Sequence, residues 1–258
     1  MKNKKNNYIG FYTLFKREFL RFFKVPNNTI FPQLVTTLFY FLIFGIAIGT
    51  RIKEVSGVPY LLFILPGLFV QNLINGSYSN PSGSLFTSRY FGNMADVLSA
   101  PISNLHVTLS YVIAGMLRGM FLALGTILIA LFFVKFSIYN YALLLIYALL
   151  ITFAFACVGV IVGLWSKTWD QLNIFINFIV TPLTFLGGVF YTLNMVPNTL
   201  AMITKFNPIF YMINGVRYAM IGVKDGNVYL GLIFLIFLTL TLFLITYKLI
   251  KKGYNLRK

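Results

Sequence analysis

Acidic side chains, and charged side chains of either sign, are scarce in this sequence. Asp and Glu together account for 5 of 258 residues, and all charged residues for 10%. A soluble domain usually carries about 25% charged residues. Because 59% of the residues are hydrophobic, the chain has too few polar side chains to cover its own core in water. This composition excludes a soluble enzyme and indicates a membrane protein.

Cysteine and histidine are nearly absent as well. The chain has one of each, Cys157 and His106, so it can form neither a disulfide framework nor a cluster of thiolate and imidazole ligands, and we expect no metal site. The sequence also lacks the G-x-x-x-x-G-K-S/T loop that binds nucleotide phosphates. Hydrolysis of ATP by that route is excluded, and we expect no cofactor bound to this chain.

The few acids do not lie where an ion-driven carrier would use them. All five fall in connections between apolar stretches or at the ends of such stretches: Glu18, Glu54, Asp96, Asp170 and Asp225. Carriers driven by protons or sodium ions usually hold a carboxylate inside the membrane to bind the coupling ion. The driving force is therefore expected to come from another protein, unless the chain is a passive channel or a membrane scaffold.

Six apolar stretches are long enough to cross a bilayer core, which takes about 20 helical residues. They are Phe31–Gly49, Pro59–Ser79, Val107–Val134, Tyr141–Trp165, Leu172–Tyr191 and Val228–Tyr247. We predict an all-α polytopic membrane protein with six transmembrane helices in residues 29–248. Since the first stretch follows about 28 mostly polar residues, we expect no cleaved signal peptide.

The basic residues indicate the orientation of these spans. Of 21 Lys and Arg, 14 lie before the first span, after the last, or in the second and fourth connections, and six lie in the other connections. Basic residues favour the cytoplasmic side, so both termini, including the basic tail 249–258, are predicted to be cytoplasmic. The net charge of +16 is then an orientation signal, and no nucleic acid is expected as a partner.

Residues 1–28 contain a helix of a different kind. At 100° per residue, the aromatic side chains between Tyr8 and Phe23 fall within about a 120° arc. Basic side chains lie on the other side: Lys16, Arg17, Arg21 and Lys24. Such an amphipathic helix is expected to lie in the cytoplasmic interface of the lipid membrane.

Polar residues inside the spans mark candidate sites. Arg118 lies near the middle of the third span, where a charge costs roughly 2.5–3.5 kcal/mol and has to face protein or water. It contacts either an anionic substrate group or a structural partner, such as helix-end carbonyls or an acid at a span end. The second and fifth spans carry most of the other polar side chains, which face either a cavity or a helix: Gln71, Asn72, Asn75, Asn173, Asn177, Thr181 and Thr184.

Residue spacing predicts a shared polar face on the fifth span and close helix packing at three glycine motifs. The four polar residues of the fifth span are 4, 4 and 3 positions apart, so a regular α-helix would place them on one face. Three spans carry G-x-x-x-G, at Gly45/Gly49, Gly115/Gly119 and Gly159/Gly163. This motif lets helix backbones approach closely in a membrane and predicts tight packing.

Three segments together resemble a known family. The second connection contains SLF at 84–86, Arg89 and DVLSAP at 96–101; the fifth span ends in TPLTFLGG at 181–188; and FNPIFYMI occupies 206–213. In combination and order they are similar to permease subunits of type 2 ATP-binding-cassette exporters, in particular the bacterial YadH-like branch, across essentially the whole chain. One departure is that Asp96 stands where the family usually carries one or two Glu.

The resemblance implies a half-transporter of the inner membrane. In this family two six-span subunits form the pathway, and two soluble ATPase subunits, which bind ATP and Mg²⁺, dock below them. We therefore expect a homodimer in which the N-terminal helix and a coupling segment at about 82–104 contact the ATPase subunits and transmit their movement to the spans. The residues expected to do so are Lys16, Arg17, Arg89, Asp96 and Pro101.

The resemblance also implies a route and a direction of transport. The second and fifth spans are expected to line the pathway, and the stretch 192–217 to form short re-entrant helices on the outer side before the last span. The expected activity is export of a hydrophobic or amphiphilic cargo, from the cytoplasm or the inner leaflet, by alternating access. The cargo is either a small drug-like molecule or a lipid or lipid-linked polysaccharide.

Overall fold

The structure is a computed structural model that describes residues 2–49 and 51–256, with the side chains of residues 7–45, 47–49 and 51–256. Several basic residues that contribute to the predicted orientation lie outside the described side chains: Lys2, Lys4, Lys5, Arg257 and Lys258. The described chain is helical except for its turns, its connections and one two-stranded hairpin. The prediction of an all-α protein is confirmed.

The elements follow one another along the chain. They are α1 (Lys2–Lys24), α2 (Pro26–Thr29), α3 (Phe31–Tyr40) continued by a π-helical segment (Phe41–Ile48), β1 (Glu54–Val55), β2 (Val58–Pro59), α4 (Tyr60–Tyr90), α5 (Met94–Ser99), α6 (Asn104–Phe133), α7 (Tyr141–Trp165), α8 (Trp169–Ile174) continued by a second π-helical segment (Phe175–Val180), α9 (Thr181–Leu186), a 3₁₀ turn (Leu193–Met195), α10 (Asn198–Phe206), α11 (Pro208–Ile221) and α12 (Val228–Lys252). The strands pair antiparallel, with Glu54 opposite Pro59.

Four helices in the described part of the chain are long and apolar enough to cross a membrane: α4, α6, α7 and α12. They correspond to the second, third, fourth and sixth predicted spans. The first and fifth predicted spans are built from shorter pieces, because π-helical turns follow α3 and α8. With 31 and 30 residues, α4 and α6 are each about 45 Å long and exceed a bilayer core of about 30 Å.

The helix α4 forms the centre of the subunit, with α6 and α7 packed against it. Both neighbours approach through the predicted glycine motifs. A Cβ atom on Gly115 or Gly119 of α6 would stand 2.8 or 2.7 Å from a carbonyl oxygen of α4. The pair Gly159 and Gly163 of α7 faces two further carbonyl oxygens of α4 in the same way. Two of the three motifs therefore serve contacts between helices within one subunit.

The amphipathic helix α1 packs along the first half of α6. Near its start, the Asn7 side chain accepts a hydrogen bond from the Ser103 backbone, and near its end the rings of Phe23 and Phe121 lie 5.3 Å apart. Among its described side chains, the buried ones are Leu14, Glu18 and Phe22, four positions apart, whereas Tyr8 and Tyr12 are exposed. The helix thus docks on protein along one face and leaves part of its aromatic face open.

The last third of the chain contains the short helices expected in the stretch 192–217. Pro197 precedes α10, and Pro208 begins α11, where Asn207 caps the helix by accepting a hydrogen bond from the Ile209 backbone at 2.9 Å. At the other end, α12 runs to Lys252, so the predicted tail begins inside the helix. Gly253 then turns the chain, and Leu256 is buried.

Candidate functional site

The central helix α4 exposes one polar stripe. Within this fully described helix, every residue from Phe63 to Ser88 is buried except for five that are spaced four apart: Gln71, Asn75, Ser79, Gly83 and Thr87. This spacing places each residue close to the previous one on the helix surface. All five are polar or glycine, whereas a stripe that faced lipid would be apolar. The open side of α4 therefore borders a polar space.

The predicted pathway residues of α4 divide between this stripe and the helix packing. Gln71 and Asn75 lie on the stripe. Asn72 is buried, and its Nδ2 donates hydrogen bonds of 2.7 Å to the hydroxyls of Thr37 and Thr126. Asn72 therefore joins α3, α4 and α6. The spacing of four residues from Gln71 to Thr87 is visible in the sequence. It could have distinguished residues on the stripe from residues buried between helices.

The predicted polar face of the fifth span is also divided. Asn173 and Asn177 are exposed. Thr181 and Thr184 bond to their own helix instead, with Thr181 Oγ1 donating to the carbonyl of Ile176, five residues earlier, at 3.0 Å. Because a π-helical segment closes its hydrogen bonds over five residues, the angular spacing of an α-helix does not hold across Phe175–Val180.

A cavity of about 490 Å³ lies between α1, α4, α6 and α8. Ser79 and Gly83 of the α4 stripe lie on one side, Asn173 on another, and the guanidinium groups of Arg21 and Arg118 complete its charged wall. The remaining lining residues are Phe22, Asn28, Thr29, Tyr78, Asn80, Ser82, Trp169, Leu172 and Ile176. The structure thus brings one predicted pathway residue, Asn173, together with Arg118, the arginine predicted to lie within the third span. Arg21 was expected only on the basic side of α1.

The two arginines of the cavity are held by backbone carbonyls. Arg118 Nη2 donates to the carbonyl of Thr29, the last residue of α2, at 2.8 Å, while its Nε has no partner. Arg21 Nη2 donates to the Asn80 carbonyl at 2.6 Å. Burial lowers the pKa of Arg21, and the negative charge of Glu18 opposes this effect. Arg118 is therefore anchored to a helix end by one of its nitrogens only.

A buried acid links the basic residues of α1. Glu18 is 1% exposed, and its Oε1 lies 3.0 Å from Arg17 Nη2. Its Oε2 lies 3.8 Å from Arg21 Nε. Arg17 also donates to the Tyr111 hydroxyl at 3.3 Å. Glu18 and polar groups of α4 and α6 thus hold the guanidinium groups of Arg17 and Arg21, although the Arg17 side chain is still 46% exposed, and Lys16 is exposed as well.

The predicted coupling segment ends in an exposed short helix, α5. Its Met94 and Val97 are buried in a cluster that includes Leu85 of α4 and Leu256 of the C-terminal turn. Asp96 and Pro101 are exposed on the other side. A displacement of α5 would therefore reach α4 directly through packed side chains.

Arg89 lies at the base of this segment and binds within the subunit. Its Nη1 donates to the carbonyls of Gly163 and Leu164 at 2.8 and 2.7 Å, and to that of Ser166 at 3.2 Å. Its Nε donates to the Asn255 carbonyl at 2.6 Å. Arg89 thus caps the end of α7 and links the C-terminal turn to α4. Its positive charge is therefore already bound to backbone carbonyls inside the subunit.

A second buried ion pair lies near the start of α12. Arg217 is fully buried, its Nη1 lies 3.0 Å from Asp225 Oδ2, its Nη2 donates to the Gly188 carbonyl, and its guanidinium stacks over the Phe63 ring at 4.2 Å. Burial lowers the pKa of Arg217 to about 10, and Asp225 opposes this effect. Burial also raises the pKa of Asp225. Sequence reasoning missed this pair, because both residues fell in predicted connections.

Comparison with known proteins shows the family. Residues 10–221 match the model of the family described as ABC-2 type transporter. The chain is 33% identical over 250 residues to the inner membrane transport permease YadH of Escherichia coli strain K12, which covers 97% of this chain and 98% of that protein. It is 24% identical over 219 residues to nodulation protein J of Rhizobium meliloti strain 1021, covering 81% and 80%. The chain therefore belongs to the ABC-2 type transporter family, as a transport permease subunit.

Proposed function

We propose that this chain is the membrane subunit of an ATP-driven exporter whose ATP is hydrolysed by separate soluble subunits. The observation that carries the proposal is the polar stripe of α4, since the central helix of the subunit is open only along Gln71, Asn75, Ser79, Gly83 and Thr87 within its buried part. A continuous polar face is what a polar or amphiphilic cargo requires in order to cross an apolar bundle.

The proposed topology has six spans, with both termini in the cytoplasm of an inner membrane. The segment formed by α3 and its π-helical extension is the first span, and the segment from α8 to α9 is the fifth. On this assignment α10 and α11 are re-entrant helices on the outer side, where irregular backbone is tolerated because it is buried in protein or wetted. The basic residues near the termini and the name of the Escherichia coli relative support this topology.

The proposed assembly pairs two copies of this chain over two ATPase subunits. The cavity wall at Trp169 and Asn173 is exposed in the single subunit, and a second copy facing this side would enclose the polar space. The docking surface for the ATPase consists of exposed residues of α1 and the coupling segment: Lys16, Asp96 and Pro101. Arg89 would act indirectly, because it holds the base of the coupling segment. Arg17 would also act indirectly, because it fixes the position of α1.

The proposed mechanism is alternating access. ATP binding draws the ATPase subunits together and moves both copies of α5. Because Met94 and Val97 pack against the bundle, this movement turns α4 and opens its stripe to the other side of the membrane. The nucleotide has to favour one conformation over the other for work to be transmitted. The proposed cargo is hydrophobic or amphiphilic.

The proposal is tested by purifying the tagged chain from its own host in mild detergent. A soluble subunit with a phosphate loop is expected in the complex, together with ATP hydrolysis. Asp96→Lys should lower recovery of this subunit about tenfold, because a reversed charge at an interface repels its partner. Glu54→Lys, a matched reversal at an exposed residue of the hairpin, should leave recovery unchanged. A wild-type chain that brings down no ATPase would support a passive channel or scaffold instead.

A further inference from the structure

The cavity between α1, α4, α6 and α8 presents hydrogen-bond donors that lack acceptors. Arg118 is 6% exposed and Asn80 1% exposed. Arg118 Nε and Asn80 Nδ2 are both buried without a hydrogen-bond partner. Buried polar groups are nearly always paired in native proteins, so two unpaired donors in the wall of one cavity indicate a missing acceptor.

The charge around the cavity is positive. Among the described residues that line it there is no Asp or Glu. The nearest acid in the described ion pairs, Glu18, lies 3.8 Å from Arg21 of the cavity wall and is shared with Arg17, which lies outside the wall and 3.0 Å from Glu18. The single carboxylate is thus shared between Arg21 of the cavity and Arg17 beside it, and it does not pair with Arg118 in the described ion pairs. Arg118 is 6% exposed and has no carboxylate partner in the described ion pairs, so its positive charge attracts an anion strongly in this buried part of the cavity wall.

The rest of the wall is suited to an apolar chain. Trp169, Leu172, Ile176 and Phe22 line the same cavity, and Trp169 is 51% exposed at its edge. A molecule with a charged group near Arg118 could therefore extend its apolar part along Trp169 and Ile176. The cavity volume of about 490 Å³ is typical of a site for one small ligand or head group.

We infer that this cavity binds the phosphate group of an anionic amphiphile, with Arg118 and Arg21 as the recognising residues. Guanidinium groups match phosphate oxygens with paired N–H donors. Arg118 keeps Nη2 on the Thr29 carbonyl while Nε is left for the ligand, and Asn80 Nδ2 supplies a further donor. The view of this amphiphile as cargo rests on the proposed function; its binding does not.

The test uses the full-length chain with Trp165→Phe, which leaves Trp169 as the sole tryptophan. In dodecyl maltoside, a neutral detergent without phosphate, Trp169 fluorescence is followed during titration with dioctanoyl phosphatidic acid. Dioctanoylglycerol, which has the same chains and no phosphate, is the ligand control. Arg118→Gln and Arg21→Gln are compared with Arg51→Gln, a matched change at an exposed arginine outside the cavity.

Phosphatidic acid should bind the parent protein, and Arg118→Gln and Arg21→Gln should each weaken binding about tenfold or more, the effect of losing a hydrogen bond to a charged group. Arg51→Gln should bind as the parent does. Should Arg118→Gln fail to fold, Arg118→Lys decides, because it keeps the charge but loses the paired donors and should bind several-fold more weakly. Equal binding by the Arg118 and Arg51 variants, or of dioctanoylglycerol and phosphatidic acid, overturns the inference.

Competition with inorganic phosphate shows whether the site prefers a lipid phosphate or the free anion. The binding assay is also independent of the proposed exporter function. Displacement of the lipid by inorganic phosphate at similar concentrations would show that the site recognises the free anion equally well, whereas no displacement would show that the acyl chains contribute. Both results keep the phosphate assignment. No ATPase is present in this assay. A failure of lipid binding would therefore contradict the phosphate site and not the proposed complex with an ATPase. Failure to recover an ATPase would contradict the proposed function and not the phosphate site.

Discussion

Replacement of Arg89 should loosen the cytoplasmic end of the subunit. Arg89→Gln removes a guanidinium whose Nη1 donates to the Gly163 and Leu164 carbonyls at 2.8 and 2.7 Å and whose Nε donates to the Asn255 carbonyl at 2.6 Å. The last carbonyls of α7 would then lose their cap, and the C-terminal turn would lose its tie to α4. Arg89 also donates to the Ser166 carbonyl, and the neutral amide of Gln is shorter and cannot reach all four carbonyls.

The size of the effect follows from these bonds. A hydrogen bond to a charged group contributes about 1.5–3 kcal/mol. Four such bonds share one partly exposed side chain, and contributions from one group are not additive. We therefore expect a loss of about 2–4 kcal/mol. At about 2–4 °C per kcal/mol for a domain of 150–250 residues, the unfolding temperature should fall by about 4–16 °C.

The assay is thermal unfolding of the purified chain in detergent, with hydrogen exchange to locate the change. Exchange should rise in the last turn of α7 and in residues 253–256, while the middle of α4 stays protected. Lys167→Gln is the control, because it removes an exposed positive charge close to the same helix end. Equal unfolding temperatures for Arg89→Gln and Lys167→Gln would refute the capping role.

Two other changes test the packing of α4 and the pair at Arg217. Gly159→Ala should destabilise the chain by about 1–3 kcal/mol in thermal unfolding, since its Cβ would overlap the Tyr78 carbonyl of α4. Gly83→Ala, whose Cβ would have its nearest neighbour 3.9 Å away, should be neutral or stabilising by up to about 1 kcal/mol, and similar losses for both would contradict the close approach. Arg217→Gln should cost about 3–5 kcal/mol, because it leaves Asp225 buried without its partner, and the exposed Lys224→Gln should cost nothing measurable. Addition of Asp225→Asn should recover part of the loss, and an absence of recovery would argue against the pair.

Apolar length predicted the helices because it is a local property of the chain. The stretches Val107–Val134 and Tyr141–Trp165 coincide with α6 and α7 to within a few residues. The motif Gly115/Gly119 likewise predicted a close approach of two helices. Its partner, α4, was beyond the reach of the sequence, because a glycine shows that a neighbour comes close and not which neighbour it is.

Side chains with distant partners were harder to place. Arg89 binds carbonyls 74 to 166 positions away along the chain, so its residue type and location alone suggested a free cytoplasmic charge. Arg21 was placed on an outer basic face, because helical periodicity does not show that Asn80 of α4 lies beside it. The π-helical segment Phe175–Val180 was missed because its composition matches that of an α-helix.

The most direct test of the account is nucleotide-dependent thiol labelling of α4. The chain has a single cysteine, Cys157, so Cys157→Ala gives a background in which Asn75→Cys, on the stripe, is compared with Ile74→Cys, which is buried. In the complex with its ATPase, Asn75→Cys should react with a polar maleimide at a rate that changes at least severalfold when ATP and vanadate are added. Ile74→Cys should stay unreactive. Equal labelling rates at both positions would contradict the claim that this stripe lines a pathway driven by ATP. A labelling rate of Asn75→Cys that is the same with and without nucleotide would contradict it as well.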